Sequence, residues 1–513
     1  MPGFSRKRRL AVLGISCMSL FIIGLDDTIV SIALPTIANG LHASVSGLQW
    51  IVDGYAVVLA SLLVYGGAMA DRFGRRRVFR IGLATFTVGS ALCSLAPSLG
   101  WLIAFRVLQA TGGSMLNPVA VSIISTVYTN RVERARAIGV WVGMFGVGMA
   151  LGPALGGVLM GVFGWRAIFW VNIPVGLCAI ALTSAFVPES RATASRRPDP
   201  VAQILVIVTM ASLVYAIIEG AYTHWRTTTI HGLFIGAGVT LATLVVWEVR
   251  RKEPLIEVRS FRSRSLSAAV VIGTCSFANL GGFLFLTSIY LQDVRGSSAT
   301  QAGLHMLPTA MAMALCPSLA AWMTRTTGSA RLPLLLGGIA LMLSAHLMSG
   351  LTASSADIHL LMTFALFGIG MGMVNGQISV AAVSGMPPAQ AGLASGIASA
   401  SRLVGQSLGV AVAGSLLTAQ VHEPIRAAFT LAGSSAWHLL FWCACAVFGA
   451  GLLTARPRAR HRLARGVMRR RQLPQAAAAP AGQSPFPPLD SAPSPTLPRR
   501  RRANTDPLTT VES

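Results

Sequence analysis

The chain has 513 residues, of which 53% are apolar and only 11% are charged, and this composition excludes a soluble globular protein. The charges are confined to short intervals between long apolar runs, which indicates a membrane protein with many spans. The net charge of +24 comes from basic residues in alternate loops and in the C-terminal tail, so it favours contact with anionic membrane lipid and gives no reason to expect nucleic acid as a partner.

Fourteen apolar runs of about 20 residues, the length that crosses a bilayer, predict fourteen transmembrane spans. They begin near Leu10, Gln49, Val78, Gly100, Ala135, Ala167, Val201, Ile230, Leu266, Ala302, Leu332, Ile358, Ala394 and Ser435. Most of the 41 Lys and Arg residues lie in the N-terminus, alternate loops and the tail. The opposite loops contain Arg166, Arg226, Arg295 and Arg426. This asymmetry places both termini in the cytoplasm. The preference for Arg over Lys suggests a bacterial source, so we expect a multi-pass protein of the bacterial plasma membrane.

An internal repeat divides the chain into two related halves. Gly148 and Gly152 in the fifth span recur at the same spacing as Gly405 and Gly409 in the thirteenth. Such parallel repeats are typical of transporters whose two bundles rock about a central site. The predicted fold is an all-α integral membrane protein. Its segments are a cytoplasmic N-terminus at 1–9, an N-terminal six-helix bundle at 10–190, an inserted two-helix hairpin at 201–250, a C-terminal six-helix bundle at 266–456, and a disordered Arg- and Pro-rich cytoplasmic tail at 457–513.

Span one contains two adjacent carboxylates, Asp26 and Asp27, in the sequence FIIGLDDTIVSIALP. A carboxylate near the middle of a membrane needs a cavity, a partner or a proton. Successive residues of a helix point about 100° apart, so these two side chains face different neighbours. Asp53 lies early in span two, where an interfacial position and a cavity position are equally consistent with the sequence. All three are candidates for proton coupling, and structural carboxylates bonded to neighbouring helices are the alternative.

The loop between spans two and three reads GAMADRFGRRR. We expect Asp71 to accept hydrogen bonds from backbone N–H groups or arginines of neighbouring helices, and Gly74 to permit a tight turn. With Arg72, such a clamp would hold one conformation shut. An ordinary basic cytoplasmic loop is the alternative, and it explains the arginines but not the ordered Gly, Asp and Gly. The candidate gate residues are Gly67, Asp71, Arg72, Gly74, Arg75 and Arg76.

Span four, WLIAFRVLQATGGSMLNP, places Arg106 and Gln109 on one helix face. A permanently charged guanidinium inside the membrane requires an acidic or carbonyl partner, and the three aspartates of spans one and two are the candidates. Burial disfavours a charged carboxylate whereas a neighbouring arginine favours it. An aspartate that gains and loses its arginine contact can therefore exchange a proton. Arg402 in span thirteen is a second buried arginine, to which the sequence assigns no role.

The fifth span is uncharged from Ala137 to Trp165 and contains GVGMALGPALGGVL. Gly148, Gly152 and Gly156 recur at four-residue intervals, so they form a stripe without side chains along which another helix can approach closely. Pro153 removes a backbone donor and predicts a bend nearby. A tightly packed membrane helix is the alternative interpretation. We expect the stripe to pack against the matching glycines of span thirteen and to seal the cavity on one side.

Five motifs, in order along the chain, resemble those of the fourteen-span drug:proton antiporter family of the major facilitator superfamily. GAMADRFGRRR resembles the superfamily loop motif, and LDDTIVSIALP resembles the first-span motif with Asp26 on the motif aspartate and Ser31 in place of Asn. RVLQATGG is similar to the span-four motif with Ala110 in place of one glycine, and WRAIFWVNIPVG to the opening of span six. The antiporter motif of span five is matched by Gly148, Gly152, Pro153, Gly156 and Gly157.

This resemblance, over about Leu10 to Ala455, implies a major facilitator fold with 14 transmembrane helices and proton-driven export of amphipathic small molecules such as drugs, antibiotics or natural products. It implies that Asp26 is a proton or cation site, that Arg106 assists proton transfer, and that the span-five helix governs opening of the cavity. The acidic residues favour a cationic substrate. The proton gradient takes the place of a cofactor. The expected partners are the substrate, protons and membrane lipid, and we expect a monomer.

Other classes of protein fit the sequence less well. A phosphate loop needs a lysine after its glycines, and neither Lys7 nor Lys252 has that context, so an ATP-driven pump is excluded within this chain. The histidines and cysteines show neither metal-ligand spacing nor a catalytic cluster, so we predict no enzyme, no catalytic residue and no metal. A proton-coupled importer of a small organic solute stays as the alternative, because it shares the fold, the loop motif and the buried charges and lacks chiefly the span-five motif.

Overall fold

The computed structural model describes residues 5–191, 199–223, 225–251, 258–384, 391–419 and 425–454, and most of these residues are helical. The α-helices are α1 (Arg6–Leu41), α2 (Val45–Phe73), α3 (Arg75–Ser94), α4 (Leu99–Val127), α5 (Arg131–Phe163), α6 (Ala167–Trp170), α7 (Asn172–Phe186), α8 (Pro200–Tyr222), α9 (Thr228–Arg250), α10 (Arg264–Ile289), α11 (Ala299–His305), α12 (Leu307–Thr327), α13 (Arg331–Ser349), α14 (Asp357–Ser384), α15 (Ala391–Thr418) and α16 (Ile425–Leu453). A 3₁₀ turn, Val258–Arg262, precedes α10, and a π-helical turn, Tyr290–Val294, follows it. The predicted tail at 457–513 lies outside the described residues.

The helices account for the predicted spans, and the all-α class is confirmed. Thirteen helical segments of the described chain are long and apolar enough to cross a membrane. The pairs α6–α7 and α11–α12 each make up one of these segments. The predicted span near Val78 corresponds to α3, which is less apolar because its first turn consists of arginines. This helix packs against α4 and α7, so it belongs to the bundle despite its composition.

The two bundles, α1–α7 and α10–α16, repeat the same helix packing. α1 packs along α5 as α10 packs along α15, and α3 packs on α4 as α13 packs on α14. The close approach depends on glycine, since Gly148 faces the backbone of Phe21 in α1 and Gly405 faces the backbone of Thr274 in α10. A side chain at either glycine would overlap the facing backbone. The glycine repeat in the sequence therefore corresponds to a structural repeat.

Contacts join the two bundles toward one side of the membrane. We call the side that carries the Gly67–Arg77 loop the loop side, and the side at which α1 ends and α2 begins the opposite side. Toward the opposite side, Gln292 donates from Nε2 to the carbonyl oxygen of Ile32 at 2.7 Å. Thr300 donates from Oγ1 to the carbonyl oxygen of Gly157 at 2.9 Å. A large cluster of buried apolar side chains continues there from one bundle into the other.

The inserted hairpin α8–α9 lies across the seam between α2 and α15. On α2, Trp50 donates from Nε1 to Glu219 Oε1 of α8 at 3.0 Å. On α15, Ser415 donates from Oγ to the carbonyl oxygen of Ile217 in α8 at 2.7 Å. A small buried apolar cluster joins the three helices and consists of Val57, Val214, Ile218 and Ala411. α8 therefore contacts both bundles, while α9 packs on α8.

Candidate transport site

Asp26 is completely buried and lies at the centre of a hydrogen-bonded network. Arg106 donates from Nη1 to Asp26 Oδ2 at 2.5 Å, which forms a buried ion pair. Gln109 and Asn172 donate from their side-chain amides to Asp26 Oδ1 at 2.8 and 2.9 Å. The amide of Gln109 also donates to Ser90 Oγ at 2.6 Å. Of the three aspartates that the sequence offered as partners for Arg106, the structure selects Asp26.

The guanidinium of Arg106 has further partners that fix its position. It donates from Nη1 to Gln109 Oε1 at 2.7 Å and from Nε to the carbonyl oxygen of Ile51 at 3.3 Å. The guanidinium carbon Cζ lies 4.0 Å from the centre of the Tyr55 ring, so the cation also faces an aromatic surface. Protonation of Asp26 would leave this guanidinium as an uncompensated buried charge, so proton uptake requires Arg106 to move.

Asp27 points away from this network, across the interface between the bundles. Gln406 of α15 donates from Nε2 to Asp27 Oδ1 at 2.7 Å. Asp27 is half-buried, whereas its neighbour Asp26 is inaccessible. The prediction that the two adjacent carboxylates face different neighbours is confirmed.

Asp53 is fully buried, and neither of its carboxylate oxygens has a hydrogen-bond partner within the described part of the chain. The side chain lies where α2 packs against α15, with the hydroxyl of Ser407 as its polar neighbour. The sequence left an interfacial and a cavity position open, and the structure places Asp53 in the seam between the bundles. An unpartnered charged carboxylate is costly there, so this position suits a group that carries a proton.

The Gly67–Arg77 loop holds its ion pair within the N-terminal bundle. Arg75 donates from Nη2 to Asp71 Oδ1 at 3.0 Å. Arg72 is exposed, and none of the ion pairs in the described residues includes it. The expectation that Arg72 joins Asp71 in a clamp is therefore wrong, because the chain turns at Gly74 and returns Arg75, not Arg72, to the carboxylate.

Gly74 provides the predicted tight turn. Its φ of +107° is unfavourable for other residues, and a Cβ there would collide with the carboxylate of Glu189. That carboxylate accepts a hydrogen bond from the backbone N–H of Arg76 at 3.2 Å, and Arg76 donates from Nη2 to the carbonyl oxygen of Ser184 at 2.9 Å. Gly67 packs toward α4. These contacts lie within one bundle, so the loop does not clamp the two bundles together through them.

The glycine stripe of α5 packs against α1. Gly148 lies against the backbone of Phe21, and a Cβ on Gly152 would overlap the hydroxyl of Thr28. Gly156 continues the contact toward the end of α1. The predicted contact with the glycines of α15 is wrong, because the repeat places α5 and α15 at equivalent positions in separate bundles and each packs on the first helix of its own bundle.

Other residues of the same motif face the second bundle. The backbone of Ala299 and Thr300 in α11 lies close to Gly157, and the carbonyl group of Pro153 lies close to Gly303. The motif helix thus contacts α1 on one face and α11 on another. Both contacts require small residues at the point of approach.

A small apolar cavity lies between the bundles beside α5. Its walls include Thr28 and Met149 from the N-terminal bundle, and Leu280, Met306 and Met313 from the C-terminal bundle. Methionine side chains adapt to ligands of different shape, which suits a promiscuous apolar surface. The hydrogen bonds between the bundles run from the level of Asp27–Gln406 to the opposite side, so the structure is closed toward that side.

Sequence reasoning missed several partners of the predicted residues. Asn172 lies within WRAIFWVNIPVG, where a lone amide in an apolar stretch was an available signal. Gln406 carries the same signal in span thirteen. Glu189 and Ser407 gave no such signal, because an acidic residue in a loop and a serine in a membrane helix are both common.

Comparison with known proteins agrees with this geometry. A family model described as "Major Facilitator Superfamily" matches residues 16–410. The chain is 36% identical over 413 residues to the "Multidrug resistance protein Stp" of Mycobacterium tuberculosis, with 80% of this chain and 76% of that protein covered. It is 34% identical over 411 residues to the "Tetracenomycin C resistance and export protein" of Streptomyces glaucescens, with 79% and 75% covered. A solved bacterial homologue of the human lysosomal transporter Spinster, in an inward-facing and unoccupied conformation, has a TM-score of 0.63 at 18% identity and covers 88% of this chain and 98% of that one.

Proposed function

Because the chain belongs to the Major Facilitator Superfamily, a family of multi-pass membrane transporters, we propose that it exports amphipathic small molecules in exchange for protons. Relatives named for multidrug resistance and for tetracenomycin C export support drugs, antibiotics or natural products as the substrate class. No cofactor is needed for this activity, because the proton gradient supplies the free energy.

The observation that carries this proposal is the packing of the α5 motif on α1. Gly148 and Gly152 touch the segment of α1 from Phe21 to Ile29, and the same segment contains Asp26 and Asp27. A change in the charge of either carboxylate alters the contacts of α1, and the close glycine packing transmits such a change to α5. Coupling between a proton and the conformation of the motif helix follows from that shared segment.

The transport cycle follows an alternating-access mechanism, in which the central site opens to one side of the membrane at a time. The bundles are closed toward the opposite side, so the cavity in this state is reached from the loop side. We assign the loop side to the cytoplasm, together with both termini, because that side carries the arginine-rich loops. A carboxylate of the N-terminal bundle releases its proton to the cytoplasm when a substrate binds from that side, and a proton from outside is taken up after the bundles rock and the substrate leaves. A monomer contains both bundles and is sufficient for this cycle.

Inverted membrane vesicles with an acid interior test the proposal against the importer alternative. The vesicles are given a panel of fluorescent dyes and antibiotics, and vesicles without the protein serve as the control. We expect accumulation of at least one compound, and release of that compound when the gradient is collapsed. Accumulation that appears only in right-side-out vesicles with acid outside would identify a proton-coupled importer instead.

A further inference from the structure

Arg402, in the middle of α15, has no charged partner among the residues that the structure describes. It donates from Nη2 to Ser379 Oγ at 2.7 Å and to the carbonyl oxygen of Asn375 at 3.1 Å, both on α14. The Nε atom is buried and has no acceptor among the described residues. These acceptors and the ring of Phe277, whose centre lies 5.9 Å from the guanidinium carbon, are neutral, so no carboxylate of the described residues balances this charge as one does for Arg106.

The described part of the C-terminal bundle brings no carboxylate close to this guanidinium. Between residues 264 and 453, the acidic residues are Asp293, Asp357 and Glu423. Asp293 lies in the π-helical turn and Asp357 begins α14, so both are at the opposite side, roughly 25–30 Å along the helices from the level of Arg402. Glu423 follows the end of α15 in the sequence and lies outside the described residues.

The carboxylates of the N-terminal bundle that reach the interface have other neighbours. Asp26 pairs with the guanidinium of α4, Asp27 accepts from the amide of Gln406, and Asp53 lies in the seam beside a serine. None of the ion pairs in the described residues includes Arg402. A charge left uncompensated at membrane depth is costly, so a countercharge from outside the chain would bind there favourably.

Arg402 lies close to the interface between the bundles and is not fully enclosed. It lies one helical turn before Gln406, which reaches Asp27 of α1, while Arg402 itself donates to α14. The adjacent Leu403 packs against the apolar cluster of the N-terminal bundle. Arg402 is half-buried, and Gly376 on α14 is exposed, with no atom of a neighbouring residue in front of it. A ligand that enters from the loop side therefore reaches the guanidinium before it reaches the Asp27–Gln406 contact.

We propose that Arg402 binds an acidic group of the transported molecule, such as a carboxylate, phenolate or enolate. This assignment rests on the proposed export function and names its substrate class. A guanidinium presents parallel N–H donors that match an organic anion. Asp26, Asp27 and Asp53 lie on the N-terminal bundle, so the C-terminal bundle recognises the anion while the N-terminal bundle exchanges the proton. The acidic residues alone led us to expect a cationic substrate, and this proposal replaces that expectation with an organic acid as the substrate.

Equilibrium binding to the purified full-length protein tests this assignment without requiring transport. The probes are two xanthene dyes of similar size, anionic fluorescein and cationic rhodamine 123, and the readout is fluorescence anisotropy in detergent micelles. We expect Arg402→Gln to weaken fluorescein binding at least about tenfold, which is the effect of losing a hydrogen bond between charged groups. Rhodamine 123 binding should change less than about twofold. Arg402→Lys, which keeps the charge and loses the planar fork, should give an intermediate affinity for fluorescein.

Arg325→Gln is the matched control, because it removes one exposed positive charge from the same bundle. Its affinity for fluorescein should equal that of the wild type. Three results would overturn the assignment: no fluorescein binding by the wild type, equal fluorescein affinity in Arg402→Gln, or equal losses for both dyes in that variant. A difference between wild type and variant that disappears when phosphatidylglycerol is added would place a lipid headgroup at Arg402 and also overturn it. Export itself is measured separately in vesicles, so binding without gradient-driven accumulation would refute the export function and leave the binding site intact.

Discussion

Replacement of Gly152 by alanine tests the packing that links α5 to α1. The added Cβ would overlap the hydroxyl of Thr28 and would lie 3.0 Å from the backbone nitrogen of Ile29, closer than an ordinary contact. Thr28 cannot turn away freely, because its hydroxyl donates to the carbonyl oxygen of Met149 at 3.1 Å. The two helices must therefore separate, or this hydrogen bond must break.

The size of the effect follows from two opposing contributions. Overpacking of a tight contact costs about 1–3 kcal/mol. Alanine is favoured over glycine inside a helix by up to about 1 kcal/mol, which offsets part of that cost. Gly146 is the matched control, since it lies on the same helix and a Cβ there meets no atom within 4 Å. We expect Gly152→Ala to be less stable than Gly146→Ala by about 1–3 kcal/mol.

Thermal unfolding of the two purified variants, followed by their export in inverted vesicles, measures this difference. Gly152→Ala should unfold at a lower temperature than Gly146→Ala and export more slowly. Gly152→Leu, which adds more volume at the same point, should reach the membrane and fail to export. Equal unfolding temperatures and equal export for the two alanine variants would refute the reasoning, because the contact with α1 would then be looser than the structure indicates.

Other variants test the remaining features. Asp26→Asn should abolish export and destabilise the protein by about 3–5 kcal/mol, because Arg106 loses its countercharge. The double variant Asp26→Asn/Arg106→Gln removes both charges, so it should recover the unfolding temperature but not export. Asp71→Asn removes a partly exposed ion pair, so it should change stability by less than about 1 kcal/mol, and a loss of export without a change in unfolding temperature would indicate a gating role. Glu219→Ala and Trp50→Phe should be coupled by about 0.5–3 kcal/mol in a double-mutant cycle of thermal unfolding, and additive effects would contradict their hydrogen bond.

Much of the fold could be predicted because membrane spans and internal repeats leave strong signals in a sequence. Long apolar runs fix where helices lie, and the recurring glycines identified α5 and α15 as copies. The partner of the glycine stripe could not be predicted in the same way. A stripe shows that some helix approaches closely, but the repeat is equally consistent with contact between the two copies and with contact inside each bundle.

The site was predictable at the level of residues and less so at the level of partners. Helix geometry correctly separated Asp26 from Asp27, and the cost of a buried guanidinium correctly required a carboxylate for Arg106. Which carboxylate it was depended on how far α1, α2 and α4 slide past one another, and the sequence does not contain that information. The arginine partner of Asp71 could not be predicted for a similar reason, because the turn at Gly74 determines which arginine contacts this carboxylate.

The hairpin α8–α9 makes the two seams between the bundles mechanically unequal. At the α2–α15 seam, α8 contacts both helices: Glu219 accepts a hydrogen bond from α2, and the carbonyl oxygen of Ile217 accepts one from α15. The α5–α11 seam is held by glycine contacts and by the hydrogen bond from Thr300. If the α2–α15 seam stays intact while the bundles rock, the rotation axis must lie near α8. The widest gap then opens beside α5, and the motif helix lies on the moving edge.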